Sequence, residues 1–281
     1  MLFRSAVGSA GAFPFHARLV RVFESLPIVG SLMIGVWIPT ALSLVVMGDL
    51  AAVTSSLTEP IGGAVIPGLL VAGAATIVFA AISATLNDDI GEIVGYLAVG
   101  NAGWIAIAAA ATINAPSDTS GRILALPGAL TISLFGLWLV AARRRYGITR
   151  ISLLGGWARR THAIGVLLVA AIVALVALPP GAILAARLGV LGIGGNPLIG
   201  LLALIGQVVL VFAAVRLLLA GMTPPSSLVR RTRVYSGANL STAVLLASAL
   251  GVAGAAAGWL SIEIGGSASL PPPASATPLP I

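Results

Sequence analysis

The chain has 281 residues, of which 58% are hydrophobic and only 8% are charged. Soluble domains carry about a quarter charged residues, so this composition excludes an ordinary soluble domain and indicates an all-α, polytopic transmembrane helix bundle. Cysteine is absent and the two histidines are far apart, so neither a disulfide framework nor a thiolate or histidine metal centre is expected. The net charge of +7 comes from arginine without any lysine, and in a membrane protein clustered arginines indicate topology, not nucleic-acid binding.

Long apolar segments predict seven membrane spans, each long enough for a helix to cross a bilayer. In chain order they are 27–48, 61–85, 92–113, 123–142, 162–193, 197–220 and 239–261. Residues 1–265 are therefore expected to form one transmembrane domain. Residues 266–281 are rich in proline and are expected to be a disordered tail.

The fifth span contains Pro179, Pro180 and Gly181 within its apolar run. Proline lacks a backbone donor, so two in succession break a helix, and broken helices at membrane depth line cavities buried in protein. Arg187 lies just past this break and is the single charged residue between positions 162 and 216. An ionisable residue in such a segment is by default a candidate functional site, although snorkelling to the outer interface leaves a structural role equally open.

If the fifth span crosses the membrane once, nearly all arginines of the loops lie on the same side of the membrane. The positive-inside rule then makes the arginine-rich side cytoplasmic, with the N-terminus inside and the C-terminus outside. Two crossings by the halves of that span would move the last cluster to the other side, so the pattern favours one kinked crossing in a cell membrane. Arg122 is alone on the outer side, and the cytoplasmic arginines are Arg4, Arg18, Arg21, Arg143, Arg144, Arg145, Arg150, Arg159, Arg160, Arg230, Arg231 and Arg233.

Few other polar residues lie inside the spans. Asn101, in the third span, is expected to hydrogen-bond a neighbouring helix more often than a substrate. Thr40 follows Pro39 in the first span, where packing around a proline and a functional helix break stay equally open. Gln207 and Arg216 lie on the sixth span, and Arg216 is expected to snorkel to the cytoplasmic interface.

Motifs for nucleotide binding, metalloprotease or triad chemistry are absent, so no catalytic, cofactor-binding or metal-binding residue is predicted. Asp88, Asp89 and Glu92 stand at a helix start, where the positive end of the helix dipole is a sufficient structural explanation. His16 and Glu24 lie near the cytoplasmic interface, and taken alone they indicate solvated loop residues.

Three motifs nevertheless occur in a familiar order. Residues 13–19 (FPFHARL), with Glu24 shortly after, resemble the FPFHxWL…E…P signature of antiporter-like membrane subunits. Members of that family are subunits of respiratory complex I, of Mrp-type cation/proton antiporters and of membrane-bound hydrogenases. Residues 89–96 (DIGEIVGY) are similar to its D-[IL]-K-R-x-x-A-Y-S-S helix start. Residues 178–182 (LPPGA) resemble its broken helix G-[IL]-P-P-x-x-G-F-x-x-[KE], and Arg187 falls on the terminal Lys or Glu.

The resemblance implies a fold of two inverted five-helix repeats, with residues 1–265 matching the second half, so that the first repeat and its glutamate are missing. The lysine of the first broken helix would fall near residues 38–40, and the lysine after the aspartate is Gly91. A guanidinium effectively does not deprotonate, so Arg187 is expected to act as a fixed electrostatic element, gate or carboxylate partner and not as a proton carrier. With Asn101, His16 and Glu24, it makes up the candidate ion-path or electrostatic residues.

The expected function is a membrane subunit of a complex I-like (NADH:quinone oxidoreductase or Mrp-type) assembly that takes part in proton translocation or scaffolds it. Such a subunit is non-redox and holds no cofactor. Its partners would be the lipid bilayer and other membrane subunits, one of which could supply the missing first repeat. Two alternatives stay open: an independent small transporter built around its proline-broken helices, and a degenerate subunit that does not transport.

Overall fold

The computed structural model describes residues 16–25, 27–54, 62–115, 120–147, 150–153, 155–156, 162–176, 182–194 and 197–223. These residues form nine α-helices, and no strand occurs among them. A π-helical turn, Met33–Trp37, joins the second helix to the third. The helices are α1 His16–Ser25, α2 Ile28–Leu32, α3 Ile38–Thr54, α4 Gly62–Leu86, α5 Ile90–Asn114, α6 Ser120–Tyr146, α7 His162–Val176, α8 Ala182–Gly194 and α9 Pro197–Met222.

Five stretches of these helices are long and apolar enough to cross a membrane. They are Val29–Met47, Val65–Leu86, Ile90–Asn114, Leu124–Arg144 and Pro197–Met222. The all-α polytopic bundle is thus confirmed, and the five stretches coincide with five of the predicted spans. The last predicted span, 239–261, and the tail at 266–281 lie outside the described residues.

Helix α5 is the centre of the bundle. It is apolar on every side, as expected of a helix surrounded by protein, and it packs against α1, α3, α4, α6, α8 and α9. The bulky side chains Ile93, Trp104 and Ile107 are fully enclosed. Residues on α5 are therefore the ones best placed to connect the outer helices.

Helices α4 and α5 cross at two facing glycines. A Cβ atom added to Gly73 would lie 2.7 Å from the carbonyl oxygen of Gly103, and one added to Gly103 would lie 2.7 Å from the carbonyl oxygen of Gly73. Each would also meet an isoleucine of the opposite helix, Ile107 or Ile77, at 2.6 Å. Small residues that let backbones approach this closely are typical of helix packing in membranes.

Helix α9 presents large apolar side chains outward, and most of them are three or four residues apart. Among the described residues, this outer face carries Leu198, Leu201, Leu202, Ile205, Val208, Phe212 and Leu219. Isolated exposed apolar residues are normal in soluble proteins, but a continuous apolar helix face requires an apolar surrounding. The face therefore lies against lipid or another membrane subunit.

The first spanning stretch is interrupted at Pro39. Proline has no N–H to donate and its ring clashes with the carbonyl one turn earlier, so the helix must adjust there. The adjustment is the π-helical turn Met33–Trp37, in which the N–H of Ile38 donates to the carbonyl of Met33. The helical stretch thus continues past Pro39 with one widened turn, and a functional role for this turn stays a prediction.

Helices α7 and α8 flank the second predicted break. They have 15 and 13 residues, so each is shorter than the roughly 20 residues that a helix needs to cross the hydrocarbon core. The breaking residues Pro179, Pro180 and Gly181 themselves lie outside the described part of the chain.

The ends of α6 and α9 lie at the same end of the bundle. Arg150, after α6, forms an isolated antiparallel bridge with Asp89, and Arg216, near the end of α9, pairs with Asp88 at 2.6 Å. If α9 crosses once, α7 and α8 together also cross once, so the single kinked crossing of residues 162–193 stays a prediction.

Candidate functional site

Arg187 is buried inside the bundle. It lies on α8, its side chain is only 5% exposed, and its Nη1 donates a hydrogen bond of 3.2 Å to the carbonyl oxygen of Leu175 on α7. Its guanidinium carbon stands 5.0 Å from the ring centroid of Trp104 on α5, which is the geometry of a cation–π contact. Arg187 therefore connects the two half-helices across the break and attaches both to the central helix.

Gln207 on α9 completes the same polar group. Its Nε2 donates to the carbonyl oxygen of Leu175 at 3.1 Å, and its Oε1 accepts from Nε1 of Trp104 at 2.9 Å. We call Arg187, Trp104, Gln207 and the Leu175 carbonyl the Arg187 cluster. Helices α5, α7, α8 and α9 each contribute one of its members.

The C-terminal end of α7 has backbone carbonyls that need hydrogen-bond donors, which explains the positions of Arg187 and Gln207. The last four carbonyls of a helix lack an intrahelical donor and carry the negative end of the helix dipole. Leu175 is the penultimate residue of α7, and its carbonyl accepts from both Arg187 and Gln207. A cation and an amide thus satisfy a helix end that the break leaves inside the bundle.

The positive charge of Arg187 has no carboxylate partner among the residues that the structure describes. The two ion pairs found there involve Arg143 and Arg216. The Nε of Arg187 is buried and makes no hydrogen bond to a described residue. The arrangement therefore holds one fixed positive charge, whose Nε donor is unpaired, in a setting where charges are costly to bury.

Asn101 and Thr40 lie together but not in the Arg187 cluster. Both line a small cavity between the π-helical turn, α5 and α6. Gly128 of α6 packs directly on the side-chain amide of Asn101, and an added Cβ at that position would collide with Oδ1. Of the four candidate ion-path residues, the structure thus places two, Arg187 and Asn101, at separate sites on the faces of α5.

His16 and Glu24 lie on α1, at its first and penultimate positions. Their side chains are outside the described part of the structure, so their predicted roles stay predictions. Elsewhere on α1, Leu19, Val20 and Phe23 are buried, and the hydroxyl of Ser31 donates to the carbonyl of Val22 at 2.8 Å.

Arg216 has specific partners, which the expectation of a snorkelling side chain did not include. Its Nη1 donates to the carbonyl oxygens of Thr85 at 2.6 Å and Asn87 at 3.2 Å, and its Nη2 pairs with Asp88 at 2.6 Å. The cause is the end of α4, whose terminal carbonyls need donors. Arg216 therefore caps α4 and fixes α9 to it.

Asp89 is the N-cap of α5, as its place at a helix start predicted. Its carboxylate accepts from the backbone N–H groups of Gly91 at 2.7 Å and Glu92 at 3.2 Å. The guanidinium of Arg143 on α6 lies against Gly91 and 3.9 Å from Asp89. Where the related motif has a lysine beside the aspartate, this chain has a glycine and brings in a cation from α6.

Trp104 and Gln207 were not identified as site residues from the sequence. A usable signal existed for Gln207, because an amide inside a strongly apolar span is expected to bond across helices. No local pattern pairs it with Trp104, which is 103 residues away. No group of three or more histidines or carboxylates that could bind a metal occurs among the described residues.

The chain is similar to known proteins in both sequence and structure. Residues 1–213 match the family model described as NADH:quinone oxidoreductase/Mrp antiporter, transmembrane region. A search among curated protein sequences found no match.

Solved structures share the fold at low identity. The chain resembles a chain of respiratory complex I from Thermus thermophilus with bound NADH, with a TM-score of 0.73 and 18% identity over 93% of this chain and 55% of that one. It also resembles a chain of the membrane-bound sulfane sulfur reductase, an archaeal respiratory complex. The TM-score is 0.72 and the identity 20%, over 93% of this chain and 53% of that one. A chain of the Mrp complex from Dietzia sp. DQ12-45-1b is similar as well. The TM-score is 0.70 and the identity 16%, over 94% of this chain and 56% of that one.

This chain therefore spans little more than half the length of the solved chains that it resembles. The family match covers most of the sequence, including α1 to α8 and the greater part of α9. The chain belongs to the NADH:quinone oxidoreductase/Mrp antiporter family of antiporter-like membrane subunits.

Proposed function

We propose that this chain works as a membrane subunit of a proton-translocating assembly of the complex I-like or Mrp type. In that assembly it would take part in translocation or scaffold it, without redox chemistry of its own. Membership of the family supports the type of assembly. The observation that carries the proposal for this chain is the Arg187 cluster, a buried charge at a helix break that joins four helices.

Arg187 is proposed to act as a fixed electrostatic element. Charged residues inside membrane proteins are rare because burying them is costly, and they mark ion paths or gates when they persist. A guanidinium keeps its proton, so Arg187 would influence the path through its field and not by carrying protons. If a carboxylate near Arg187 gained or lost its charge, the interaction between Arg187 and the carbonyl oxygen of Leu175 would become weaker or stronger.

The orientation is proposed to be N-terminus inside and C-terminus outside. Arg143, Arg144 and Arg150 follow α6 or end it, and Arg216 lies at the same end of the bundle. The positive-inside rule assigns such an end to the cytoplasm.

Partners are proposed to be other membrane subunits. The solved chains that share the fold come from multi-subunit membrane complexes. The part of their length that these 281 residues do not cover is a candidate contribution of a partner, which would complete a two-repeat fold.

Isolation from native membranes tests the proposed assembly. We expect an affinity-tagged copy, extracted in mild detergent, to bring with it further antiporter-like, quinone-reductase or hydrogenase subunits. The untagged strain, carried through the same purification, is the control. Recovery of the chain as a homo-oligomer alone would contradict the proposal and favour an independent small transporter. A chain recovered alone and without transport after reconstitution would favour a degenerate subunit.

A further inference from the structure

Arginines collect at the end of the bundle where α6 and α9 end. Arg143 and Arg216 belong to the two ion pairs already described there. Arg144 and Arg150 are exposed, and their side chains form no ion pair or hydrogen bond with any residue that the structure describes. This end of the bundle therefore carries two positive charges that the described part of the chain does not balance.

The turn after α6 brings Arg150 back towards Arg143. Gly147 adopts the left-handed conformation, with a φ of 62°, and its N–H donates to the carbonyl of Arg143 at 2.8 Å, which closes α6. The backbone of Arg150 then forms its bridge with Asp89, and the N–H of the next residue donates to the loop between α4 and α5 at 2.9 Å. The backbone on both sides of this turn is thus held against the bundle.

Exposed apolar side chains lie beside these arginines. Leu86, the last residue of α4, is 78% exposed, and Leu153, in the short turn Ile151–Leu153, is also exposed. That turn packs against α9, whose last residue, Met222, is exposed as well. Cations next to exposed apolar side chains at helix ends are typical of the boundary between acyl chains and lipid headgroups.

Unpaired arginines at such a boundary suit one class of ligand. A guanidinium forms paired hydrogen bonds with phosphate oxygens, and basic clusters next to transmembrane helices attract anionic phospholipids. An acidic protein surface would match the charge alone, whereas a phospholipid matches the charge and also covers the leucines with acyl chains. The positive-inside rule accounts for arginines on one side of the membrane but not for the apolar side chains beside them.

We propose that Arg144 and Arg150 form a site for the phosphate headgroup of an anionic phospholipid, whose acyl chains lie against Leu86 and Leu153. The bound lipid would balance the two charges at the place where the ends of α4, α6 and α9 are joined. The proposal does not depend on the function proposed above, because it requires only that the bundle lies in a membrane.

Quenching of a fluorescent label by brominated lipids tests the proposal. The natural chain contains no cysteine, so Ser152→Cys, at an exposed position next to Leu153, carries a single bimane label. The full chain is reconstituted in vesicles of phosphatidylcholine and phosphatidylglycerol, with bromine on the acyl chains of one lipid or the other. We expect the label to report an affinity about 25-fold higher for phosphatidylglycerol, because each arginine contributes about fivefold near an anionic surface. Equal quenching by the two lipids at equal mole fraction would overturn the site.

Removal of the two arginines locates the site. In the labelled chain, Arg144→Gln and Arg150→Gln should each lower the preference for phosphatidylglycerol about fivefold, and the double variant should abolish it. Arg122→Gln is the matched control, since it removes one arginine that is predicted to lie on the other side of the membrane; it should keep the preference. A double variant that keeps the preference would overturn the assignment. Each comparison is between two lipids on one variant, so a general loss of stability does not imitate the result.

Two other ligands give different outcomes in the same experiments. Inorganic phosphate should reduce the preference for phosphatidylglycerol no more than sodium chloride of the same ionic strength does. A preference that phosphate alone removes would overturn the lipid in favour of free phosphate. Absence of any lipid preference, together with loss of co-purifying subunits from the double variant, would replace the lipid by an acidic protein surface.

Discussion

Trp104 supports the Arg187 cluster in two ways that substitutions can separate. Its ring lies beneath the guanidinium of Arg187, and its Nε1 donates to Gln207. Phenylalanine keeps an aromatic face but has no Nε1, while leucine provides neither. The ring is almost fully enclosed, so changes at this position act on the core as well as on the cluster.

Two substitutions of Trp104 are therefore expected to differ in size. Trp104→Phe should lower the free energy of unfolding by about 1 kcal/mol for the lost hydrogen bond. Trp104→Leu should cost at least about 2 kcal/mol more through the lost ring volume and cation contact. A double-mutant cycle with Arg187→Leu should show coupling for Trp104→Leu and little for Trp104→Phe. Denaturant unfolding in detergent measures all of these, and equal coupling for both would contradict a cation–π contribution.

The separate residues of the cluster could be predicted only in part. Arg187 was identified because a charge inside an apolar segment is rare. Its partners could not be identified, because Leu175 contributes a backbone carbonyl and Trp104 and Gln207 lie on helices far apart in sequence. For Arg216 the sequence predicted a snorkelling side chain and missed its specific role. A position near a helix end indicates snorkelling but does not reveal the free carbonyls of α4 beside it.

At the level of helices, the crossing of α4 and α5 depends on close glycine contacts. The crossing of α4 and α5 leaves no room for a Cβ at Gly73 or Gly103. Gly165 on α7, in contrast, has no atom within 4 Å of an added Cβ. Comparison of a tightly packed glycine with an open one therefore separates the effect of helix packing on stability from the effect of helix propensity.

Alanine substitutions at these positions should change stability in opposite directions. Gly103→Ala forces α4 and α5 apart and should lower the free energy of unfolding by about 1–3 kcal/mol. Gly165→Ala meets nothing and should be neutral or stabilising by up to about 1 kcal/mol, since alanine is the better helix former. Thermal or denaturant unfolding of the two variants in one detergent measures the difference. Similar losses for both would show that the crossing is not the cause.

The irregular turn near Pro39 was predictable in position but not in form. Pro39 indicated an interruption, yet a proline can kink a helix, widen one turn or end it, and the surrounding helices decide which occurs. Here a π-helical turn results. The single crossing of residues 162–193 stays a prediction from the arginine distribution, because charge asymmetry reflects the whole topology and not one contact.

At the scale of the whole molecule, one side of α5 faces the fixed charge of Arg187 on α8, and another side faces uncharged polar groups. The Arg187 cluster joins α5 to α7, α8 and α9, and the cavity at Thr40 and Asn101 joins it to the π-helical turn and α6. The overall bundle was predictable, since apolar length alone defines spans. The placement of both sites on α5 was not, because it depends on helix packing.

Proton translocation by the native assembly with a changed Arg187 is the most direct measurement. In energised membrane vesicles, Arg187→Leu should abolish most of the translocation, and Arg187→Lys should keep a substantial part because it restores a positive charge. Leu188→Ala is the matched control, since this neighbour is 52% exposed on the outer face of α8; it should behave like the natural chain. Immunoblots must show equal amounts of each variant in the assembly. Full translocation by Arg187→Leu at normal assembly would contradict a fixed-charge role for Arg187.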